Sequence, residues 1–324
     1  MRNRVSVLVT FYNQEDYVDK AIESILSQKT DFGVKIIVGD DGSTDRTCEK
    51  VNDWIGRYPD SIELHVMPDA DVRIPGFRAS RNRINLLGFV DTDYFIYLDG
   101  DDYFCFDQKL QRQVDVLDSE ANSDCVACGH NTKMVFKNGD EKPFTDPEPG
   151  EGKTDSKEYW KKYHFHTDAL LFRSSVIQHI DLKLLENSFN DNMITFPAIL
   201  LGKIYYIPES WAVYLQTADG IWTTGDNLIN YIRNIIFYDL SCKMAPGMRT
   251  QSLCKFGYVW QGLYRIRNRI DSAELSSYLK EAEDKGCPNA SKWIRYRELN
   301  VFGKLWLMIK TFAVSCSMPI LRRL

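Results

Sequence analysis

The chain has 324 residues, 44% of them hydrophobic and 26% charged, and carries a net charge of −5. This is the composition of a soluble globular protein, and it lacks the basic footprint of a nucleic-acid binder. Eight cysteines scattered from Cys48 to Cys316 make no disulfide framework and point to a reducing compartment. No apolar run reaches the 18 residues a spanning helix needs, and the run after Met1-Arg2-Asn3-Arg4 stops at Thr10, as a strand would and a signal peptide would not.

Val5-Ser6-Val7-Leu8-Val9 reads as the first strand, with Thr10-Phe11-Tyr12-Asn13 as the loop at its carboxyl end. A helix is expected from about Glu15, with Ile22, Ile25 and Leu26 on one face. Val34 to Val38 is the second strand and runs into Gly39-Asp40-Asp41-Gly42-Ser43-Thr44-Asp45. Ser43 or Thr44 is positioned to cap the next helix, which turns Val51, Trp54 and Ile55 inward. Ile62 to Val66 alternates as a third strand, and a helix from about Arg78 to Phe89 follows the loop at Pro75-Gly76. Alternating strands and helices with such connections predict an α/β fold with a doubly wound, mostly parallel sheet.

Tyr94 to Leu98 is a buried strand that ends in Asp99-Gly100-Asp101-Asp102. Uncompensated carboxylates are costly to bury, so this tip should meet water or a cation. If the strand continues, Asp99 and Asp101 point the same way. Paired oxygen donors of this kind suit Mg²⁺ or Mn²⁺ shared with a substrate diphosphate. Doubly wound sheets bind ligands at the carboxyl ends of their strands, where Thr10 to Asn13, Asp40-Asp41 and Asp99 to Asp102 all fall. By the same rule Asp91-Thr92-Asp93 lies at the wrong end and reads as a solvated turn, and Asp69-Ala70-Asp71 as a loop pair. The chain has neither G-x-G-x-x-G after the first strand nor G-x-x-x-x-G-K-[ST], which argues against a dinucleotide oxidoreductase or a P-loop NTPase.

In these motifs the chain resembles glycosyltransferase family 2, whose members have the GT-A fold. Val5 to Asn13 is similar to the family's "VSVIVPTYN", and Ile36 to Asp45 to its "IIVVDDGSTD". Gly76 with Ala79-Ser80-Arg81-Asn82 is similar to "G-x-x-x-ARN", and Tyr97 to Asp102 to "FLDSDD". The resemblance implies a donor site made of Thr10, Phe11, Tyr12, Asn13, Glu15, Asp40, Asp41, Arg81, Asp99 and Gly100. Within it, Thr10, Tyr12 and Asp41 would contact the nucleobase, and Arg81 the base or the phosphates. Asp101 would be the main metal ligand, helped by Asp99. Asn190-Asp191 followed by an apolar helix and Gly202 to Glu209 is similar to the family's "ED-x-x-L…GKIYYIPE", which makes Asp191 the general base. As a plain helix N-terminal carboxylate, Asp191 would be worth about 0.3–1 kcal/mol. The stretch Val213 to Gln216 departs from the family's closing "YR-x-H", with Leu215 and Gln216, so the resemblance implies no third protein ligand to the metal there.

On the acceptor side the candidates are His166, Asp168, Asp102 and Trp222, with a structural hydrogen bond as the alternative for His166 and Asp168. Residues 137–156 are rich in glycine and proline and predict a mobile loop. Cys125-Val126-Ala127-Cys128 sits in an expected strand without a second pair, which argues against zinc. The expected organisation is a GT-A domain at 1–225, with a donor half at 1–105 and an acceptor half at 106–225, and a helical region at 226–324. Over residues 291–324, seven basic residues stand against Glu298 alone around an apolar stretch. A helix there would lie in a headgroup plane or pack on the core or a dimer interface.

The function expected is inverting transfer of a hexose or N-acetylhexosamine from a UDP-sugar to a glycan or lipid-linked hydroxyl. The setting expected is bacterial surface polysaccharide synthesis, in the cytoplasm or at the inner membrane face, with a divalent metal, no nucleic acid, and oligomerisation left open. The alternatives are a non-catalytic sugar-nucleotide-binding subunit and a metal-dependent nucleotidyltransferase.

Overall fold

The computed structural model describes residues 1–68, 75–182, 192–217 and scattered positions between 234 and 252. Its core is a ten-stranded sheet. The part expected as the donor half is built from β1 (Asn3–Phe11), β2 (Gly33–Asp40), β3 (Ile62–Val66) and β4 (Tyr94–Asp99), which pair in parallel in the order β3-β2-β1-β4. The helices α1 (Val18–Leu26), α2 (Thr47–Arg57) and α3 (Pro75–Leu87) connect them. β1, β2 and β4 are buried along most of their length because both of their faces are covered, whereas the edge strand β3 alternates and leaves Val66 exposed. Alternate residues serve opposite layers. Val7, Val9, Ile36, Val38, Ile96 and Leu98 pack with Ile22, Val51 and Trp54 of α1 and α2. Leu8, Ile37, Phe95 and Tyr97 pack with Ile84, Leu86 and Leu87 of α3.

The acceptor half is mixed. β5 (Tyr103–Phe104) and α4 (Lys109–Asp118) lead to β6 (Cys125–Val135), and β10 (Lys203–Leu215) pairs parallel to β6 and antiparallel to β5. The three-residue β9 (Leu171–Arg173) runs antiparallel to both β4 and β6 and joins the two halves. Residues 137–156, expected as a loop, contain the short strands β7 (Glu141–Pro143) and β8 (Gly152–Thr154), which pair with β6 and β10.

Several local expectations change. Ser43 and Thr44 do not cap α2. Ser43 donates to Asp40, Thr44 N donates to Asn13, and it is Asp45 Oδ1 that accepts from Thr47 N at 3.0 Å. Asp93 is held by Arg2 and Arg4 rather than simply solvated, and Thr92 is buried against Ser6. Cys125 and Cys128 are buried free thiols. Asp69-Ala70-Asp71, Asp191, Trp222 and the 300–324 tail lie outside the described residues.

Lys109 is fully buried. Its Nζ donates to Gln113 Oε1 at 2.9 Å and stands 4.1 Å from the centre of the Phe104 ring. Gln113 in turn donates to the carbonyls of Cys128 and Ala169 at 2.7 and 2.9 Å, tying α4 to β6 and to the chain ahead of β9. Burial pushes the ammonium down from 10.5 to about 7, against the pull of Asp168. Between those two values the unfolded chain binds a proton that the native state has released, so stability rises with pH across that window. Relative to Lys109→Met, the wild type should therefore gain up to about 1.4 kcal/mol per pH unit there, read from urea midpoints. A pH-independent difference between the two proteins would contradict this.

Candidate functional site

Where β1, β2 and β4 end, backbone pairing brings Thr10 beside Asp99 and Phe11 beside Asp40. Thr10 Oγ1 donates to Asp99 Oδ1 at 3.3 Å, and Gly100 N to the Thr10 carbonyl at 2.9 Å. A Cβ on Gly100 would stand 2.2 Å from Phe11 Cδ1, so the glycine makes room for the buried Phe11 ring. The loops after β1 and β2 are stitched together by expected donor residues. Asn13, at φ 51°, accepts from Thr44 N at 2.8 Å, and Glu15 accepts from Arg46 N at 2.8 Å. Asp40 is spent on its own turn, accepting from Gly42 N and Ser43 N at 3.0 and 2.8 Å.

Asp41 is different. It is 6% exposed, and Arg78 Nε donates to its Oδ2 at 3.1 Å. Its Oδ1 has no hydrogen-bond partner among the described residues, the Arg81 guanidinium standing 3.6 Å away. Burial pushes this carboxyl up, and Arg78 and Arg81 oppose the rise. Arg78 also lies 4.2 Å over the ring of Tyr12, which is 45% exposed. Arg81 reaches the Pro68 carbonyl at 3.0 Å. A partly exposed ring, two guanidiniums and a buried carboxylate oxygen without a hydrogen-bond partner among the described residues are therefore grouped at the strand ends.

The second cluster sits at the tip of β4. The strand stops at Asp99, so the alternation expected to align Asp99 with Asp101 does not extend that far. A turn closed by Asp102 N donating to the Asp99 carbonyl at 2.9 Å brings Asp102 round instead. Asp102 is 1% exposed; its Oδ1 accepts from Leu215 N at 2.9 Å, and its Oδ2 has no hydrogen-bond partner among the described residues. Asp101 accepts from Thr217 Oγ1 at 3.1 Å, so the end of β10 closes over both carboxylates.

Because β9 is antiparallel to β4, the chain ahead of it arrives at the same end of the sheet and delivers His166 and Asp168. His166 Nδ1 lies 3.1 Å from Asp168 Oδ1 and 3.9 Å from Asp102 Oδ2. Burial pushes Asp102 well above the carboxylate range, and the charges of Asp101, Asp168 and Asp99 add to it. Asp101 is raised by burial and by Asp99. Burial acts the same way on Asp99, but Arg83, paired directly with it, and then His166 outweigh that and hold it low.

The residues fit a divalent cation. Asp99, Asp102 and His166 each offer a ligand atom, and these atoms all lie within 4.8 Å of one another, with the unpaired Asp102 oxygen among a crowd of carboxylates. Carboxylate oxygens with one imidazole suit Mn²⁺ or Mg²⁺. Among the described residues no other such group occurs. Gln216 bonds through its backbone to the Val135 carbonyl, and the imidazole in the cluster comes from His166. Sequence reasoning missed Arg78 and Arg83. Three arginines on one helix feeding the strand tips were the available signal.

A family model described as glycosyl transferase family 2 matches residues 6–181. An uncharacterised protein of Mycobacterium bovis is 26% identical over 227 residues, covering 67% of this chain and 60% of that protein. The minor teichoic acid biosynthesis protein GgaA of Bacillus subtilis is 24% identical over 278 residues, covering 75% of this chain and 60% of its own length. The chain thus spans 60% of each of these relatives. Among solved structures, residues 1–349 of S. aureus TarS with UDP-GlcNAc align at TM-score 0.57 and 16% identity, covering 91% of both chains. The mannosyltransferase PcManGT of Pyrobaculum calidifontis, with GDP-Man and Mn²⁺, aligns at TM-score 0.54 and 12% identity, covering 98% of this chain and 87% of that one. At these identities the likeness shows the fold, a GT-A arrangement. The family match takes in more than half of the chain, including the strand tips that carry Thr10, Asp41 and Asp99, and so the chain belongs to glycosyl transferase family 2.

Proposed function

We propose that the chain is an inverting glycosyltransferase that takes a hexose or N-acetylhexosamine from a UDP-sugar and delivers it to a hydroxyl of a glycan or lipid-linked acceptor. Surface polysaccharide assembly is the setting that the teichoic acid relative supports. The observation that carries the reading is that two buried carboxylate oxygens, Asp41 Oδ1 beyond β2 and Asp102 Oδ2 beyond β4, have no hydrogen-bond partner among the described residues.

Asp41 Oδ1 would accept the imide N–H of a uracil packed against Tyr12, with Arg78 and Arg81 keeping the carboxylate charged. Asp99, Asp102 and His166 would hold Mn²⁺ or Mg²⁺, with Asp101 beside them. When bound, such an ion neutralises a leaving diphosphate. Arg83 keeps Asp99 ionised in the meantime. Asp191 would take the proton of the attacking acceptor hydroxyl, on the face opposite the leaving group. Inversion follows from having that base on the acceptor side. The basic, apolar tail would rest on an anionic lipid surface at the inner face of the cytoplasmic membrane.

With UDP-sugars as donors, Asp191→Asn should keep nucleotide affinity and lose about 10²-fold or more in transfer rate. Full transfer by that variant would remove Asp191 as base. Truncation at about residue 300 should reduce co-sedimentation with vesicles containing phosphatidylglycerol; sedimentation equal to that of the full chain would end the membrane reading.

A further inference from the structure

Asp168 has no contact with water and stands outside the cation group, yet it is packed into the middle of the site. An ionised carboxylate is costly to bury, so its partners show what it is for. Its Oδ1 accepts from Thr132 Oγ1 of β6 at 2.6 Å and lies 3.1 Å from His166 Nδ1. The same ring nitrogen is 3.9 Å from Asp102 Oδ2, so the imidazole leans towards Asp168 rather than towards the carboxylate it would share the ion with.

The ring's other surfaces are also set. Tyr214 of β10 stacks on it at 4.4 Å with planes 23° apart, and Phe144 meets it edge-on at 5.0 Å. His166 is therefore held from β6 through Thr132 and Asp168, from β10 through Tyr214, and from the 137–156 segment through Phe144. An imidazole with one nitrogen 3.1 Å from a buried carboxylate and two aromatic rings packed on it has its ring plane constrained before an ion arrives.

We infer that Asp168, seated by Thr132, is a positioning residue that orients His166 for the divalent cation. This rests on the cation site proposed above. It assigns Asp168, an acceptor candidate from the sequence, to the ion instead, with Thr132 as its support.

The test uses the full chain and Mn²⁺ alone, with free ion counted by electron paramagnetic resonance and folding checked by thermal melts. Asp168→Asn should weaken Mn²⁺ binding about 10- to 100-fold, and Thr132→Val by less. On a His166→Ala background, Asp168→Asn should cost nothing further. An unchanged affinity for Asp168→Asn, with His166→Ala weakened, would overturn the positioning role alone. Losses that multiply in the double variant would overturn it as well, because Asp168 would then act on the ion without His166. An unchanged affinity for His166→Ala would overturn the cation site and this role together. Should Asp168→Asn melt early, Thr132→Val run through the same pair of backgrounds decides, with the same outcomes.

Discussion

Four carboxylates, those of Asp99, Asp101, Asp102 and Asp168, are crowded together at the carboxyl end of β4 with too little positive charge to balance them. Arg83 pairs with Asp99, and His166 stands between Asp102 and Asp168. Lys109 lies farther back, buried against Phe104, and is pushed towards neutrality itself. Burial, with the charges of its neighbours, raises the Asp102 carboxyl well above its ordinary range, and its Oδ2 has no hydrogen-bond partner among the described residues. A divalent cation, as proposed above, would supply the missing positive charge.

The sheet topology creates this crowding. Parallel pairing of β1, β2 and β4 puts Thr10, Asp41 and Asp99 at one edge, as it does in any doubly wound sheet. The antiparallel β9 adds what parallel strands alone cannot, a chain that reaches the same edge from the other direction and carries His166 and Asp168. The end of β10 then closes over Asp101 and Asp102 through Thr217 and the Leu215 amide. The Asp41 group and the Asp99, Asp102 and His166 group thus sit at different strand tips of one sheet, and the loops after β1 and β2 are stitched by Asn13 and Glu15.

The donor half was legible because its signals are local. Apolar runs of strand length, helical spacing of Ile22 and Ile25, and Asp-Asp-Gly after β2 each specify structure within a few residues of themselves. Asp41 and Asp99 were placed by the rule that ligands meet strand carboxyl ends. At the tip of β4 the local signal stops short: period-2 reasoning aligned Asp101 with Asp99, but the strand ends two residues before Asp101 and the turn brings Asp102 beside them. His166 and Asp168 looked like acceptor candidates because their approach to Asp99 depends on a three-residue antiparallel strand, and pairing over that sequence distance leaves no local mark. Arg83 was hidden for a related reason: it reaches Asp99 on the neighbouring strand tip, while Arg78 and Arg81, three residues apart on the helix, reach Asp41.

The central claim is that these strand tips form a cation-dependent site for a uridine diphosphate. The most direct measurement is thermal unfolding of the full chain with UDP, GDP or dTDP, each with and without Mn²⁺. Ligand at a hundred times its dissociation constant adds about 2.7 kcal/mol, enough to move a melting curve visibly. The account predicts a rise with UDP that needs Mn²⁺ and little or none with GDP. No rise with any nucleotide, with or without the ion, would contradict it and leave the carboxylate edge without a donor to bind.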